Sequence, residues 1–123
     1  MTKEEKQLLL KDLCGRLPYG VHILYDNTEV REMGLGSLHD FMFDSAEVKP
    51  YLRPMSSMTE EEQREFNAIP RTVTWEYADG LFTEIANNKQ IDWLNAHHFD
   101  YRGLIEKGLA LEAPDGMYNT KNE

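Results

Sequence analysis

The residues best able to carry chemistry lie together near the C-terminal end, at His97, His98 and Asp100. Imidazole and carboxylate groups are common ligands of zinc and related metals. Adjacent positions on a helix point about 100° apart, however, so the two imidazoles cannot both face one ion without help. Asp92 precedes His97 by five residues, which does not match the HExxH spacing. A small metal-dependent hydrolase built on this cluster is therefore the alternative interpretation, and a histidine stabilising a helix C-terminus is the favoured one.

The same stretch is rich in aromatic side chains, with Phe99 in its middle and Trp75 earlier in the chain. Packing in the core is the simpler interpretation of these residues. Tryptophan, tyrosine and arginine are nevertheless enriched at binding hot spots, so a partner surface is the functional interpretation. The side chains of this predicted surface, called the aromatic–histidine set below, are Trp93, His97, His98, Tyr101 and Arg102.

Other motifs with a known mechanism are absent from the sequence. Ser56 and Ser57 lack a GxSxG context, and the chain has neither a phosphate-binding P-loop nor a GxGxxG fingerprint. The carboxylates of Glu60 to Glu62 fall at a predicted helix start, where the helix dipole and solvation explain them better than acid–base catalysis. We therefore predict no catalytic residue, no metal ligand and no cofactor, and we favour a non-enzyme.

Two helix-start signals organise the elements that position these residues. Thr2 and Glu5 have the spacing of a capping box, and leucines recur near helical period behind them. This pattern predicts a helix over Lys3–Cys14 that ends at Gly15. Cys14 lies beside several of these leucines in the pattern, so we expect a small buried side chain rather than a nucleophile.

Further helices are predicted in the second half of the chain. Thr59 and Glu62 repeat the capping-box spacing and predict a helix that ends near Asn67. The pattern over Ile91–His98 indicates another helix. Asp100 is placed to cap a last short helix that runs through Lys107, with a glycine behind it as the stop.

Alternating apolar and polar residues predict several short strands, joined by polar turns. The predicted strands are Val21–Tyr25, Thr28–Met33, Leu38–Phe43, Thr72–Tyr77 and Leu109–Leu111. Asp26 and Asn27 are suited to a hairpin turn, and the prolines of Pro50–Pro54 favour an extended segment. We expect a single α+β domain over residues 1–118, with a small, mostly antiparallel sheet packed by short helices, and a frayed tail over residues 119–123.

Composition limits the classes of function. The chain has 123 residues, 41% hydrophobic and 28% charged, which argues against disorder and against a membrane span. Its formal net charge of −9 repels phosphate backbones, so nucleic-acid binding is disfavoured and a DNA-associated regulatory module is the weakest alternative. We expect a protein partner, either one with a basic face or one that binds nucleic acid and is blocked by an acidic mimic. No membrane partner is expected, and the sequence predicts no oligomeric state.

The compartment is predicted from the N-terminus and from cysteine content. The first residues are charged and lack the long apolar stretch of a secretory signal. Only one cysteine is present, so no disulfide can form within the chain. Both features predict a cytoplasmic protein.

Three segments carry a resemblance to a known family. They read MTKEEKQLLLKDLCGRLPYGV, KPYLRPMSSMTEEE and IDWLNAHHFDYRGLIEKGLALEAPDGMY, and together they cover about half of the chain. They resemble small proteins of gut Bacteroidales bacteria and of their phages and prophages. The family brings no catalytic or binding residue with it. The resemblance implies a cytoplasmic protein of a bacterium or phage from a mobile-element setting, and nothing about mechanism. Because the chain reads as a folded acidic domain without a convergent catalytic set, we expect a non-enzymatic accessory protein of a phage or mobile element that acts by protein–protein interaction.

Overall fold

The computed structural model describes residues 1–69 and 89–118. Its α-helices are α1 (Lys3–Arg16), α2 (Leu35–Met42) and α3 (Glu60–Ala68), and residues 89–96 are also helical. Its strands are β1 (His22–Tyr25), β2 (Glu29–Glu32), β3 (Val48–Pro54), β4 (Phe99–Asp100) and β5 (Leu111–Glu112). Helices and strands alternate along the chain around one sheet, so the predicted α+β fold is confirmed. The predicted strand Thr72–Tyr77 and the predicted frayed tail lie outside the described residues.

The sheet has the order β2-β1-β3-β4, and β5 also pairs with β3. β1 runs antiparallel to both of its neighbours, and Ile23 lies opposite Arg31 on one side and Pro50 on the other. The short ladders from β3 to β4 and to β5 are parallel. The sheet is therefore mostly antiparallel, as predicted, with the parallel pairs made by the C-terminal segment.

The predicted hairpin turn between β1 and β2 is confirmed. Asp26 and Asn27 have φ angles of 54° and 62°, the left-handed conformation that both central residues of a type I′ turn require. The amide of Thr28 donates to the carbonyl of Tyr25 at 3.1 Å and closes the turn. Asparagine and aspartate tolerate this conformation better than other non-glycine residues, which explains the turn without a glycine.

Both predicted capping boxes are present. In the first, Glu5 N donates to Thr2 Oγ1 at 3.0 Å and Thr2 N donates to Glu5 Oε1 at 2.8 Å. Thr59 and Glu62 make the same reciprocal pair at the start of α3. These bonds satisfy amides that a helix start leaves without partners, so both starts can be located from the sequence.

The end of α1 and the environment of Cys14 differ from the prediction. The helix continues through Gly15 to Arg16, and Cys14 is exposed. The buried positions of α1 are Leu9, Asp12, Leu13 and Arg16, which follow the i, i+3, i+4, i+7 pattern of one helix face. Half of this buried face is charged, so the leucine pattern alone placed the face incorrectly and the prediction for Cys14 was wrong.

Two other element predictions were wrong. Residues Leu38–Phe43, predicted as a strand, belong mostly to α2, because Leu38 and Phe41 are both buried at helical rather than strand spacing. The predicted helix from Asp100 to Lys107 is a series of turns. Asp100 accepts from the amides of Leu104 and Ile105, both at 2.9 Å, but Gly103 and Gly108 have positive φ angles that do not fit a helix.

The core lies between α1, α2, the sheet and the turn that precedes β5. It is formed by twelve buried apolar residues: Leu9, Leu13, Val21, Ile23, Met33, Leu38, Phe41, Val48, Leu52, Leu104, Leu109 and Ala110. Alternate residues of β3 point into it, as the period-two geometry of a strand requires. Within residues 1–69 and 89–118, no helix combines the length and the apolar character that crossing a membrane requires.

Candidate functional site

The aromatic–histidine set follows the chain from the helical residues 89–96 through β4 to the turn behind it. Every one of its members is half-buried. The imidazole of His97 stacks on the indole of Trp93, with ring centroids 4.0 Å apart, and its Nδ1 lies 2.9 Å from the Trp93 carbonyl oxygen. The imidazole of His98 stacks instead on the ring of Tyr118, with centroids 3.7 Å apart. The two neighbouring histidines therefore have different aromatic partners.

The proposed metal ligands are not brought together. His98 has a φ angle of 65°, a left-handed conformation that turns the chain between the helical residues and β4. The carboxylate of Asp100 is occupied by two backbone amides. The described ranges hold no group of three or more histidine, cysteine, aspartate or glutamate side chains placed to bind a metal ion. The geometry therefore adds no support to the metal-dependent hydrolase.

A buried ionic network ties α1 to the segment around β4. Asp12 and Arg16 are both fully buried, and Asp12 accepts from Arg16 Nε at 2.7 Å and from Arg16 Nη2 at 3.1 Å. Arg16 Nη2 also donates to the Phe99 carbonyl at 2.7 Å. Arg102 Nε donates to the same Asp12 carboxylate at 3.0 Å. Arg16 and Arg102 are therefore both held by the buried carboxylate of Asp12. The Arg102 guanidinium is directed into the protein by this contact.

Tyr101, another predicted surface residue, also makes internal contacts. Its hydroxyl donates to Asn95 Oδ1 at 2.9 Å, and the guanidinium groups of Arg16 and Arg102 lie 5.2 and 5.0 Å from its ring centroid. A Cβ at Gly15 would lie 3.2 Å from the Asn95 side chain, so the glycine allows α1 to approach closely here. The aromatic–histidine set is therefore engaged largely in packing.

A second ion pair joins α3 to β3. Arg53 donates from Nη1 and Nη2 to the two carboxylate oxygens of Glu62 at 2.9 and 2.8 Å, and from Nη1 to the His97 carbonyl at 3.3 Å. Burial alone would raise the pKa of Glu62. Hydrogen bonds from Arg53 and Thr59 outweigh that effect and hold the pKa of Glu62 below its ordinary value. The bidentate geometry makes this pair a structural clamp rather than an acid–base group.

The environment of His98 keeps its imidazole neutral. Burial lowers the pKa of His98 to about 4, and the positive charges of Arg16 and nearby histidines act in the same direction. The Tyr118 hydroxyl donates to the Tyr51 carbonyl at 2.6 Å and accepts from the His22 amide at 2.9 Å. Burial raises the pKa of Tyr118 to about 12. Neither group is suited to proton transfer near neutral pH.

An open groove of about 640 Å³ lies between the start of α1 and the loop after α2. Its charged lining mixes lysines with carboxylates and includes Lys6, Lys49, Asp26, Asp44 and Glu47. Lys6 forms an ion pair with Asp44, and Asn27 donates to Glu47 at 2.8 Å. Three of the charged side chains at this groove, Lys6, Asp44 and Glu47, are therefore already paired.

The outer face of α2 carries the clearest exposed apolar surface. Leu35, Met42 and Phe43 are 74%, 43% and 63% exposed, and the ring of His39 packs on that of Phe43 with centroids 4.7 Å apart. Their spacing of i, i+4, i+7 and i+8 places them on one side of the helix. We call this surface the α2 stripe, formed by Leu35, His39, Met42 and Phe43. This surface was not predictable from the sequence pattern, because an eight-residue helix with apolar side chains on two faces resembles a strand.

The α2 stripe lies within an acidic part of the chain. Residues 26–47 contain one arginine and no lysine. Over the same range the acidic residues are Asp26, Glu29, Glu32, Asp40, Asp44 and Glu47. The part of the chain that carries the α2 stripe therefore has an excess of negative charge.

Comparison of the chain with protein-family models, with curated proteins and with solved structures found no match. Among the described residues, Asp12, Glu62 and Asp100 are hydrogen-bonded inside the protein, while the apolar side chains of the α2 stripe are exposed. The exposed side chains of the α2 stripe are therefore the feature from which we infer a function.

Proposed function

We propose that this protein is a non-enzymatic binding module and that the α2 stripe is its main contact surface. The observation that carries the proposal is the exposure of Leu35, Met42 and Phe43 on a helix whose opposite face is part of the core. Burying such side chains on binding is favourable by about 25 cal/mol for each Å² of apolar surface removed from water. Clustered apolar residues on a protein surface commonly mark a site of protein–protein interaction.

The partner that fits this surface is a protein with an apolar groove and a basic rim. Anchors at i, i+4 and i+7 of a short helix suit the insertion of that helix into a groove. The acidic residues around the stripe favour lysine or arginine at the rim of the groove, which would accelerate association at low salt. A protein that binds nucleic acid has such a basic surface, so the acidic-mimic interpretation is compatible with this partner.

The biological setting belongs to the proposal as well. The resemblance to small proteins of Bacteroidales bacteria and their phages supports an accessory protein of a phage or mobile element, acting in the cytoplasm. The aromatic–histidine set stays a prediction for a second contact surface. Its half-buried side chains have less free area to offer than the α2 stripe.

The proposal is tested by affinity capture from a Bacteroidales lysate followed by titration of each purified partner. We expect Leu35→Ser/Phe43→Ser to raise the dissociation constant for the partner at least tenfold. Both changes remove exposed apolar anchors without opening the core. Gln7→Ser, at an exposed position of α1, is the matched control and should bind as the wild type does. Affinity should also fall as salt rises.

A second pair of variants separates the two candidate surfaces. Trp93→Ala/Tyr101→Ala tests the aromatic–histidine set, with far-UV circular dichroism confirming that the fold persists. Equal affinity of the wild type and Leu35→Ser/Phe43→Ser for every captured partner would overturn the assignment of the α2 stripe. Loss of binding in a folded Trp93→Ala/Tyr101→Ala variant alone would move the contact surface to the C-terminal segment.

A further inference from the structure

β2 lies at one end of the strand order formed by the described residues, and its outer side has a defined hydrogen-bonding pattern. Among the described residues it pairs with β1 alone. The amide of Met33 donates to the Val21 carbonyl at 2.8 Å, which makes these two residues a hydrogen-bonded pair of the antiparallel ladder. Bonded and non-bonded pairs alternate along such a ladder. Val30 and Glu32 therefore direct their backbone N–H and C=O groups away from β1, toward the side of β2 that pairs with no described strand.

We propose that the β2 edges of two copies of this chain pair antiparallel about a two-fold axis that passes through Val30. Such pairing is isologous, because each copy presents the same edge to the other. Val30 would exchange both of its backbone bonds with Val30 of the partner subunit. Its side chain, 53% exposed in the single chain, would pack against the same residue across the axis.

Charge selects this register over its neighbours. Hydrogen bonds form between the two β2 strands only when outward-facing residues of one copy lie opposite outward-facing residues of the other. This arrangement requires the two-fold axis to pass through a residue of β2 rather than between two residues. An axis through Glu29, Arg31 or Glu32 places that residue opposite its own copy, so like charges meet. An axis through Val30 instead places Glu29 opposite Arg31 of the partner subunit, and does so twice. Opposite charges in directly facing positions stabilise an antiparallel pair, and like charges destabilise it.

Arg31 is already held in a suitable position. Its Nη2 donates to Glu29 of the same strand at 2.6 Å, and its guanidinium carbon lies 3.9 Å from the ring centroid of Tyr25. Its Nε is buried and has no hydrogen-bond acceptor among residues 1–69 and 89–118. Glu29 of the partner subunit brings a carboxylate to the Arg31 side chain. The four charges of Glu29 and Arg31 in the two copies then alternate in sign across the axis. Charged residues usually protect an edge strand from pairing, but this order of charges is self-complementary.

Sedimentation equilibrium over a range of concentrations at low salt tests the proposal. We expect the wild type to form a dimer in a concentration-dependent manner, since a four-residue strand contributes a small interface. Glu29→Arg and Arg31→Glu each place like charges opposite one another and should each raise the dimer dissociation constant at least tenfold. The combined variant Glu29→Arg/Arg31→Glu restores opposite charges and should recover the dimer.

Mixing the two single variants gives the sharpest readout. In a mixed pair, every facing position joins an acidic and a basic side chain, so an equimolar mixture should dimerise at least tenfold more tightly than either variant alone. Glu106→Arg mixed with Arg64→Glu is the matched control, because it changes the net charges equally at exposed sites away from β2. That mixture should show no such gain.

Three outcomes would overturn the proposal. The first is a wild-type chain that stays monomeric up to millimolar concentration. The second is a mixture of Glu29→Arg and Arg31→Glu that dimerises no better than its components or than the control mixture. The third is loss of the dimer in Leu35→Ser/Phe43→Ser, which would assign self-association to the α2 stripe and leave the β2 edge unused.

Discussion

Asp12 accepts hydrogen bonds from two guanidinium groups in a position without solvent access. It accepts three hydrogen bonds from Arg16 and Arg102, and its side chain is fully buried. A buried ion pair stabilises a fold less than its Coulomb energy suggests, because both charges must first lose their water. Removing one partner is costly for the same reason, since the other charge then stays buried without compensation.

We therefore expect Asp12→Ala to lower the free energy of unfolding by about 3–5 kcal/mol. Arg102→Ala should cost less, because that side chain is partly exposed and water replaces some of the lost contact. Lys11→Ala, at the preceding exposed position of α1, is the control and should stay within about 0.5 kcal/mol of the wild type. Urea unfolding followed by circular dichroism measures all three. An equal effect of Asp12→Ala and Lys11→Ala would show that the network does not stabilise the fold.

At the scale of elements, locally encoded features were predictable and contacts between distant segments were not. The capping boxes at Thr2 and Thr59 are predicted by two residues that lie three positions apart. The turn at Asp26 is predicted by the conformational preferences of its own residues. The burial of Arg16 depends on Phe99, which lies 83 residues away. No local pattern indicates that a charged residue on α1 faces the core. The directions of the His97 and His98 side chains could not be predicted either, since proximity in sequence does not give side-chain direction.

Gly15 and Gly36 both lie in described helices and differ in a way that predicts opposite responses to alanine. A Cβ at Gly36 in α2 meets no atom within 4 Å, so Gly36→Ala should stabilise the protein by about 0.5–1 kcal/mol through the reduced entropy of the unfolded chain. At Gly15 the same Cβ would press on the Asn95 amide, and Gly15→Ala should gain less or destabilise. Thermal unfolding of both variants measures the difference. A larger gain from Gly15→Ala would show that the approach of α1 to Asn95 is loose.

At the scale of the whole molecule, buried ionisable groups make stability depend on pH. His98 has its pKa lowered from 6.5 to about 4 by burial. Between these two values the unfolded chain binds a proton that the folded chain excludes, so stability falls as the pH falls from 6.5 to 4. Glu62 adds a loss at lower pH, because its lowered pKa provides stability that disappears as the folded carboxylate is protonated.

Above pH 6.5, we expect the titration of His98 to leave the free energy of unfolding unchanged. Below pH 6.5, the same titration should lower the free energy of unfolding by up to about 1.4 kcal/mol per pH unit. His98→Asn keeps a residue that tolerates the positive φ angle but removes the titrating ring. This variant should lose much of the slope between pH 4 and 6.5. Urea unfolding across that range checks the prediction, and an unchanged slope in His98→Asn would exclude His98 as its source.

The tie between Asp12 and Arg102 joins positions 90 residues apart. During translation Asp12 leaves the ribosome 90 residues before Arg102, the second cation that it binds. Contacts of such sequence separation are slow to form, because a long loop must close first. The buried acid of α1 therefore stays without its second cation while the residues between them are made, and the apolar side chains beside it stay exposed to aggregation over the same interval.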